Sequence, residues 1–167
     1  MTLHRSIRRF GVASTLLVAG CLYHFSGGGL PSHIRTVAVI PFENQTAAAE
    51  LTRELSDALR KAMQSRLGLR DASEARASAI VRGTITRYEP DVPVAFSADP
   101  NQATTARRRV QVTVDVQIVD QSNGKTLWER KGLSAEGEYA ERAETEGRRQ
   151  ALERIVNDVI EGAQSQW

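Results

Sequence analysis

The segment from 109 to 120, RVQVTVDVQIVD, is the feature that most restricts how this chain can fold. The apolar residues at every second position are Val110, Val112, Val114, Val116 and Ile118. This two-residue period predicts an antiparallel strand with one face buried and the other in water. Residues 121–124 (QSNG) contain the Asn-Gly pair favoured in tight hairpins, so residues 125–139 are predicted to return as a second strand.

Two more strands are predicted upstream of this hairpin. Residues 34–42 (IRTVAVIPF) form a continuous apolar and β-branched run, typical of a strand at the centre of a sheet or buried on both faces. Residues 79–89 (AIVRGTITRYE) alternate, which places Val81 and Ile85 on one face and Tyr88 on the other. Residues 69–78 are expected to hold either a brief edge strand or none.

Two helices are predicted from apolar residues spaced three or four apart. The first spans Leu51 to Leu67, with Gly68 as its stop and Asn44 or Thr46 as its N-cap. The second runs from about 143 to 163. Its apolar stripe consists of Leu152, Ile155, Val156, Val159, Ile160 and Ala163.

The resulting order, β-α-β-β-β-α, predicts an α+β fold. We expect a two-layer sandwich in which about four mixed strands are covered on one face by two helices, with residues 34–167 forming a single domain. Residues 90–106 join two strands, although hairpin loops usually have about two to five residues. Because this segment is long and contains three prolines, it is predicted to be either a partner contact or disordered.

The N-terminus is typical of an exported lipoprotein. Residues 1–20 combine a cationic start with an apolar stretch from 10 to 18, which is the pattern of a signal peptide. The apolar stretch is too short to span a bilayer. Val18-Ala19-Gly20-Cys21 resembles the bacterial lipobox, so Cys21, the one cysteine of the chain, is predicted to carry acyl chains. The alternative is an ordinary signal that leaves a free thiol. Residues 21–33 are predicted to form a flexible tether. Leu22 indicates the outer membrane, since an Asp at this position would suggest inner-membrane retention.

The charge balance gives no support for nucleic-acid binding. The signal carries three of the 22 Lys and Arg residues and none of the 20 Asp and Glu residues, so the mature chain has 19 basic residues against 20 acidic ones. The basic isoelectric point therefore depends on a segment that is predicted to be removed, and gives no argument for nucleic-acid binding.

No catalytic, metal or cofactor site is predicted. The three histidines lie at positions 4, 24 and 33, without metal-ligand spacing, and Cys21 is committed to the anchor. Gly124-Lys125-Thr126 imitates the end of a phosphate-binding loop, but Val119 stands where that motif needs glycine. A hydrolase with paired carboxylates stays open as the one catalytic alternative, although most Asp and Glu residues lie beside Arg on helix faces, a pattern typical of a solvated surface.

Five arginines form the candidate binding residues. Arg107, Arg108 and Arg109 open the strongest strand, and Arg82 and Arg87 belong to the preceding one. Antiparallel pairing is expected to gather several guanidinium groups near one sheet end, where their forked donors suit phosphate. The alternative is a solvated strand start whose cations discourage edge-to-edge pairing.

Several segments together resemble the LptE family of lipopolysaccharide-assembly lipoproteins. They are SGGGLPSHIRTVAVIPFENQT, ELTRELSDALRKAM, AIVRGTITRYE, VQVTVDVQIVDQSNGKTLWERKGLSAEGEY and the C-terminal helix. The resemblance implies a non-catalytic outer-membrane lipoprotein, anchored through Cys21 on the periplasmic face. It also implies a partner, the LptD-like β-barrel translocon that inserts lipopolysaccharide, which the protein plugs and helps to assemble. Lipopolysaccharide binding by the five arginines is our inference from charge.

A second group of lipoproteins shares the VAVIPFEN strand. These families activate peptidoglycan synthases or build secretion pores. Only about eleven residues separate Cys21 from the predicted domain, and at about 3.5 Å each they reach roughly 40 Å. A target beyond the cell wall is therefore disfavoured, whereas a self-assembling pore stays open as the alternative.

Overall fold

The computed structural model of the chain describes residues 29–93, 108–140 and 142–165. Six strands and two helices occur in these ranges, in the chain order β1 (Thr36–Val39), β2 (Glu43–Asn44), α1 (Glu50–Leu67), β3 (Arg70–Asp71), β4 (Ala79–Pro93), β5 (Arg108–Asp120), β6 (Thr126–Tyr139) and α2 (Glu144–Ser165). A single 3₁₀ turn, Glu74–Arg76, precedes β4. Cys21, Arg107 and most of the predicted 90–106 segment lie outside the described residues.

All six strands belong to one mixed sheet. The strand order is β3-β1-β4-β5-β6, and β2 pairs with β4 as well. β1 is parallel to β3 and β4, and β2 is parallel to β4, whereas β4, β5 and β6 are antiparallel to one another. The predicted α+β class is confirmed; the two strands beyond the expected four, β2 and β3, have only two residues each.

Both helices pack on the same face of the sheet. The alternation in β5 is present as predicted, because all of its apolar residues from Val110 to Ile118 are buried while the residues between them are half-buried. Leu51, Leu55 and Leu59 of α1 are fully buried, as are Ile155 and Ile160 of α2. These side chains form one hydrophobic core between the two layers. Among the described residues, no helix lies on the second face of the sheet.

Because of a β-bulge in β4, one side chain lies on the opposite face of the sheet from the one predicted. Ile85 pairs with Val114, but the next pair joins Arg87 to Thr113, so Thr86 is the extra residue. An extra residue reverses the alternation that follows it. Tyr88, predicted on the polar face, therefore pairs with Val112 and packs against the core.

The start of α1 also differs from the prediction. Neither Asn44 nor Thr46 is the N-cap, since that position is Ala49, which makes no side-chain capping bond. Asn44 belongs to β2, where its Oδ1 accepts from the Thr46 backbone N–H at 2.9 Å and its Nδ2 donates to the Ala48 carbonyl at 2.8 Å. The two residues thus form a side-chain-stabilised turn before the helix. Gly68 ends the helix at φ 66°, as predicted.

The long hairpin has different limits from those expected. β4 continues to Pro93, where it pairs with Arg108, so the first four residues of the predicted 90–106 loop are strand. The turn between β5 and β6 spans residues 121–125 and is longer than a two-residue hairpin. Its Gly124 has φ 71°, a conformation that glycine adopts without steric cost.

Two glycines bring α2 close to the edge of the sheet. A Cβ on Gly137 of β6 would lie 1.8 Å from the Gly147 carbonyl oxygen, and one on Gly147 would lie 3.0 Å from the Gly137 oxygen. Because both neighbours are backbone, no rotamer change relieves the contact. Glycine at both positions is what allows the helix to start so near to β6.

Candidate functional site

The helix-free face of β4, β5 and β6 carries polar side chains that hydrogen-bond across strands. Gln111 Nε2 donates to Ser134 Oγ at 2.9 Å, and Gln117 Nε2 donates to Thr126 Oγ1 at 3.0 Å. Thr113 Oγ1 lies 3.2 Å from the same Ser134 Oγ. These hydrogen bonds between neighbouring strands fix the polar side chains in place while the surface stays accessible to solvent. This face can therefore contact another polar surface or water.

The structure places three of the candidate arginines in a row on this face. Arg82 pairs in register with Gln117, Arg87 pairs with Thr113, and Arg109, the second residue of β5, pairs with Val92. Four residues separate successive positions along β5, which at about 3.4 Å per residue gives steps of roughly 13 Å. The guanidinium groups are therefore distributed along the sheet and not gathered at one end, because β4 is long and its register staggers them.

Arg108 lies apart from that row. It pairs in register with Tyr139, whose ring is buried on the helix side of the sheet. Its Nη1 donates to Asp91 Oδ2 at 2.6 Å. Arg107 lies outside the described residues.

Most of these arginines already have an acidic partner. Arg87 is 3.3 Å from Glu89, and Arg109 Nη1 is 2.8 Å from Glu136 Oε2. Arg82 instead donates from Nε and Nη2 to the neutral Gln117 Oε1, at 3.0 and 2.9 Å. Within the ranges that the structure describes, Arg82 has no carboxylate partner. Of the candidate arginines, it is therefore the one best able to bind an anion from outside the protein.

Arg82 borders a shallow depression of about 350 Å³ on the same face. Its charged lining residues are Glu43, Arg82, Asp115, Glu129 and Lys131. Asp115 Oδ1 accepts from the Gly132 backbone N–H at 2.7 Å, and Lys131 lies 3.7 Å from Glu129. The depression is open and of mixed charge, which suits polar contacts with a partner surface.

A second polar cluster, which the sequence analysis missed, joins the starts of both helices to β4. Arg148 of α2 has only 11% of its side chain exposed. Its Nε and Nη2 donate to the two carboxylate oxygens of Glu54 at 3.0 and 3.2 Å. Its Nη1 lies 3.1 Å from Glu50 and 3.7 Å from Glu144. The i, i+4 spacing of Glu144 and Arg148 was visible in the sequence, but the bridge to α1 depends on tertiary packing.

Tyr88 completes this cluster from the sheet. Its hydroxyl donates to Glu144 Oε1. Burial, followed by the bond to Glu144, raises the pKa of Tyr88 to about 12. The phenol therefore stays protonated and acts as a hydrogen-bond donor in a structural link between the sheet and the two helices.

A third cluster fixes the beginning of the domain to the β5–β6 turn. Asp120 is 1% exposed, and its Oδ1 accepts from the Ser122 N–H and hydroxyl at 2.9 and 2.7 Å. His33 Nε2 lies 2.7 Å from Oδ2, which also accepts from Asn123 at 3.0 Å. The bond from Ser122, with a smaller contribution from His33, lowers the pKa of Asp120 to about 2. His33, which precedes β1, is thereby held at this end of the sheet.

No catalytic arrangement emerges from the described part of the chain. There, no three His, Cys, Asp or Glu side chains are grouped so that they could hold a metal ion. Gly124-Lys125-Thr126 lies at the hairpin turn and the start of β6, where a phosphate-binding loop would open a helix. Within the same ranges, no helix combines the length and the apolar character that a membrane crossing needs.

Solved structures share this fold at low sequence identity. A dodecameric PelC variant from Paraburkholderia phytofirmans has a TM-score of 0.53 and 17% identity, and the match covers 82% of this chain and 93% of that one. The hypothetical protein CT253 from Chlamydia trachomatis has a TM-score of 0.55 and 12% identity, over 79% and 96% of the two chains. Protein XCC0632 from Xanthomonas campestris has 0.52 and 10%, over 80% and 88%. At these identities the likeness concerns the fold alone.

Sequence comparison is more informative about the family. None of the curated proteins matches this chain. A family model described as LptE, Lipopolysaccharide-assembly, matches residues 34–163. That match begins two residues before β1 and ends two residues before the end of α2, and so includes every strand, all of α1 and nearly all of α2. The chain belongs to the LptE family of lipopolysaccharide-assembly proteins.

Proposed function

We propose that this protein is an outer-membrane lipoprotein that plugs the β-barrel lipopolysaccharide translocon and helps it to assemble. In this proposal Cys21 carries the acyl chains and holds the domain at the periplasmic face of the outer membrane. The protein acts by binding and not by catalysis. Its partner is a large LptD-like barrel.

Apart from family membership, the observation that best supports this proposal is the polar, helix-free face of the sheet. A plug in a barrel lumen must present polar side chains to a wet interior wall. β4, β5 and β6 supply such a face over 13 to 15 residues each, with the cross-strand hydrogen bonds that pre-order it. We propose that this face and residues 90–106 contact the barrel.

Photo-cross-linking tests which face meets the barrel. A photoreactive residue at Thr113, on the helix-free face, should capture a large outer-membrane protein in intact cells. The matched control is Gln64, which is exposed on α1. Capture from Gln64 but not from Thr113 would contradict the proposed orientation.

We further propose that the arginine row receives phosphate groups of lipopolysaccharide, with Arg82 as its principal member. Arg82 binds a neutral amide and so has guanidinium donors available for an anion. Arg87, Arg108 and Arg109 must each compete with a carboxylate. A charge-assisted hydrogen bond contributes about 1.5–3 kcal/mol, roughly a tenfold to hundredfold change in affinity.

The affinity of the purified protein for lipopolysaccharide tests this assignment. Arg82→Gln should weaken binding about tenfold or more, whereas Arg87→Gln, whose cation is already paired with Glu89, should change it less. Charge reversal at Arg107, Arg108 and Arg109 together should also weaken binding. Unchanged affinity in both the Arg82 and the triple variant would remove the arginines from the proposal.

A homo-oligomeric pore is the second candidate. The observation in its favour is the fold shared with PelC, which is described as a dodecamer. A homo-oligomeric pore requires a ring of identical subunits, whereas a plug requires one copy for each barrel. The subunit ratio in the detergent-extracted complex therefore separates the two functions.

A further inference from the structure

The last strand of the sheet, β6, has an outer edge that no other strand covers in the described part of the chain. β6 is 14 residues long and pairs there with β5 alone. The opposite edge of the sheet is β3, which has only two residues, both charged and exposed. Short, charged edge strands discourage pairing with another chain. Because β6 is long, its local features decide where a further strand can be added.

The first half of β6 is protected against pairing, and the second half is not. Residues 129–131 are Glu, Arg and Lys, all exposed, and Gly132 at φ 64° lies at a break in the β5–β6 register. Charges and bulges of this kind keep a neighbouring strand away. Residues 133–137 (LSAEG) are mostly small, and their one charged side chain, Glu136, is already 2.8 Å from Arg109. A second backbone can therefore approach residues 133–137 closely.

The backbone groups of Ser134 and Glu136 point away from β5. Ser134 pairs with Thr113, whose carbonyl oxygen accepts from the Thr86 hydroxyl of β4 at 3.2 Å and so faces the other neighbouring strand. Paired residues of an antiparallel ladder exchange both hydrogen bonds or neither, so the Ser134 N–H and C=O face outward. Glu136, two residues further on, has the same direction. Its carbonyl oxygen accepts from Arg154 Nη1 of α2 at 2.8 Å.

Arg154 covers only one of these outward groups. Within the ranges described, the N–H and C=O of Ser134 and the N–H of Glu136 have no hydrogen-bond partner. Donors and acceptors that repeat about every 7 Å along one side of a strand match the backbone of another extended chain. The outer edge of β6 at residues 133–137 is therefore complementary to a strand.

The space beside this edge is open. A depression of about 470 Å³ lies between β6 and α2, and Arg154 and Asp158 line it. Across the described ranges, Arg154 forms no ion pair with a carboxylate, although Asp158 lies one helical turn further along α2. When an incoming N–H takes the Glu136 carbonyl oxygen, Arg154 can turn to Asp158, which is at the i, i+4 spacing. Displacing this cover consequently leaves no cation without a partner.

We propose that the outer edge of β6 at residues 133–137 binds an extended segment of the barrel as an additional strand. This inference rests on the proposed function as a plug. The edge borders the helix-free face that we propose contacts the barrel, so both surfaces meet the same partner. The wall strands of a closed barrel are already paired on both sides. The added strand must therefore come from a loop or a chain end that enters the lumen, and its backbone bonds fix the orientation of the plug.

Hydrogen exchange at single-residue resolution tests the proposal, on the protein alone and in its purified complex with the barrel. In the protein alone, the amides of Leu133, Ala135 and Gly137 face β5 and should exchange slowly, whereas those of Ser134 and Glu136 should exchange fast. In the complex, the Ser134 and Glu136 amides should slow by about tenfold or more. Unchanged exchange of both amides in the complex would overturn the added strand.

A proline variant separates backbone pairing from simple burial. Ser134→Pro removes the outward N–H, and proline is tolerated on an edge strand at such a position. The matched control, Ser134→Ala, loses the same hydroxyl contacts with Gln111 and Thr113 but keeps the N–H. The proline variant should lower the recovery of the complex about tenfold, and the alanine variant should leave it nearly unchanged. Equal recovery of the two variants would contradict pairing through the backbone. The exchange measurement on the wild type does not depend on how well the proline variant folds.

Photo-cross-linking in intact cells identifies the added segment. A photoreactive residue at Asp158, in the depression, should capture the barrel, and the cross-linked peptide should belong to a loop or a chain end. The matched control is Glu153, which lies on the same helix but faces the groove between α1 and α2. Capture of a second copy of this chain, or of a peptide from the barrel wall, would overturn the proposed occupant.

The outcomes separate this inference from the proposed function. If no barrel accompanies the protein from its own cells, the role of plug fails, and this inference fails with it. A barrel complex in which the Ser134 and Glu136 amides exchange as in the protein alone would overturn the added strand and leave the plug in place. Slow exchange of both amides in the protein alone, increasing with protein concentration, would show that a second copy occupies the edge and would overturn the barrel segment.

Discussion

Replacing Arg148 by alanine tests how the two helices are held to the sheet. The substitution removes the partner of Glu54 and also leaves Glu50 and Glu144 without their shared cation. Breaking a buried ion pair typically costs about 3–5 kcal/mol. Since Arg148 is 11% exposed but Glu54 is 32% exposed, we expect the lower end, about 3 kcal/mol. For a domain of this size, that loss lowers the melting temperature by roughly 6–12 °C.

Arg149→Ala is the matched control for this prediction. The two arginines are neighbours on α2, and each has glutamate partners, but Arg149 is 55% exposed. Exposed pairs are screened by water and contribute little, so the control should leave stability nearly unchanged. Urea unfolding followed by circular dichroism measures both variants. Equal destabilisation by the two substitutions would refute the argument that burial makes the Arg148 cluster important.

Three further predictions follow from the packing and the polar clusters. Gly137→Ala should destabilise the domain by about 3 kcal/mol or more, because its Cβ would meet the Gly147 backbone. Gly124→Ala, at φ 71° and with no close neighbour, should lower the free energy of unfolding by only about 1 kcal/mol. Urea titration compares the two variants, and equal destabilisation would contradict the steric argument. The pKa of Asp120 falls from 3.8 to about 2 on folding, so its contribution to the free energy of unfolding is full above about pH 4 and is lost as the pH falls towards 2. The stability of Asp120→Asn should therefore depend less steeply on pH in this range than that of the wild type. Identical acid-unfolding profiles would contradict this prediction. Ser56→Ala should stabilise the domain by about 1 kcal/mol, since the buried Ser56 hydroxyl has no hydrogen-bond partner within the described ranges. Calorimetry should therefore show a higher melting temperature for the variant, and a lower one would contradict the prediction.

The elements that the sequence predicted well are those whose signal is local. The alternation of β5 and the apolar stripes of both helices each depend on one segment, and the structure buries the expected residues. Gly68 was likewise recognisable as a helix stop, because the left-handed conformation at a C-terminus favours glycine. These signals were sufficient for the α+β class and for the side of the sheet that the helices cover.

The errors concern features that depend on a partner strand or helix. The bulge at Thr86, which turns Tyr88 towards the core, arises from the pairing of β4 with β5, and nothing within residues 79–89 marks it. The spacing of the arginine row follows from the same register. Arg148 was visible beside Glu144, but its contacts with Glu50 and Glu54 require the packing of α2 on α1.

The measurement that tests the central claim most directly is the composition of the complex that contains this protein. The full-length protein is extracted from the membranes of its own cells in a gentle detergent, and the recovered proteins are identified and quantified by mass spectrometry. The proposal predicts a large β-barrel protein in a one-to-one ratio. Recovery of a ring of identical subunits, or of a cell-wall synthase in place of a barrel, would contradict the role of plug.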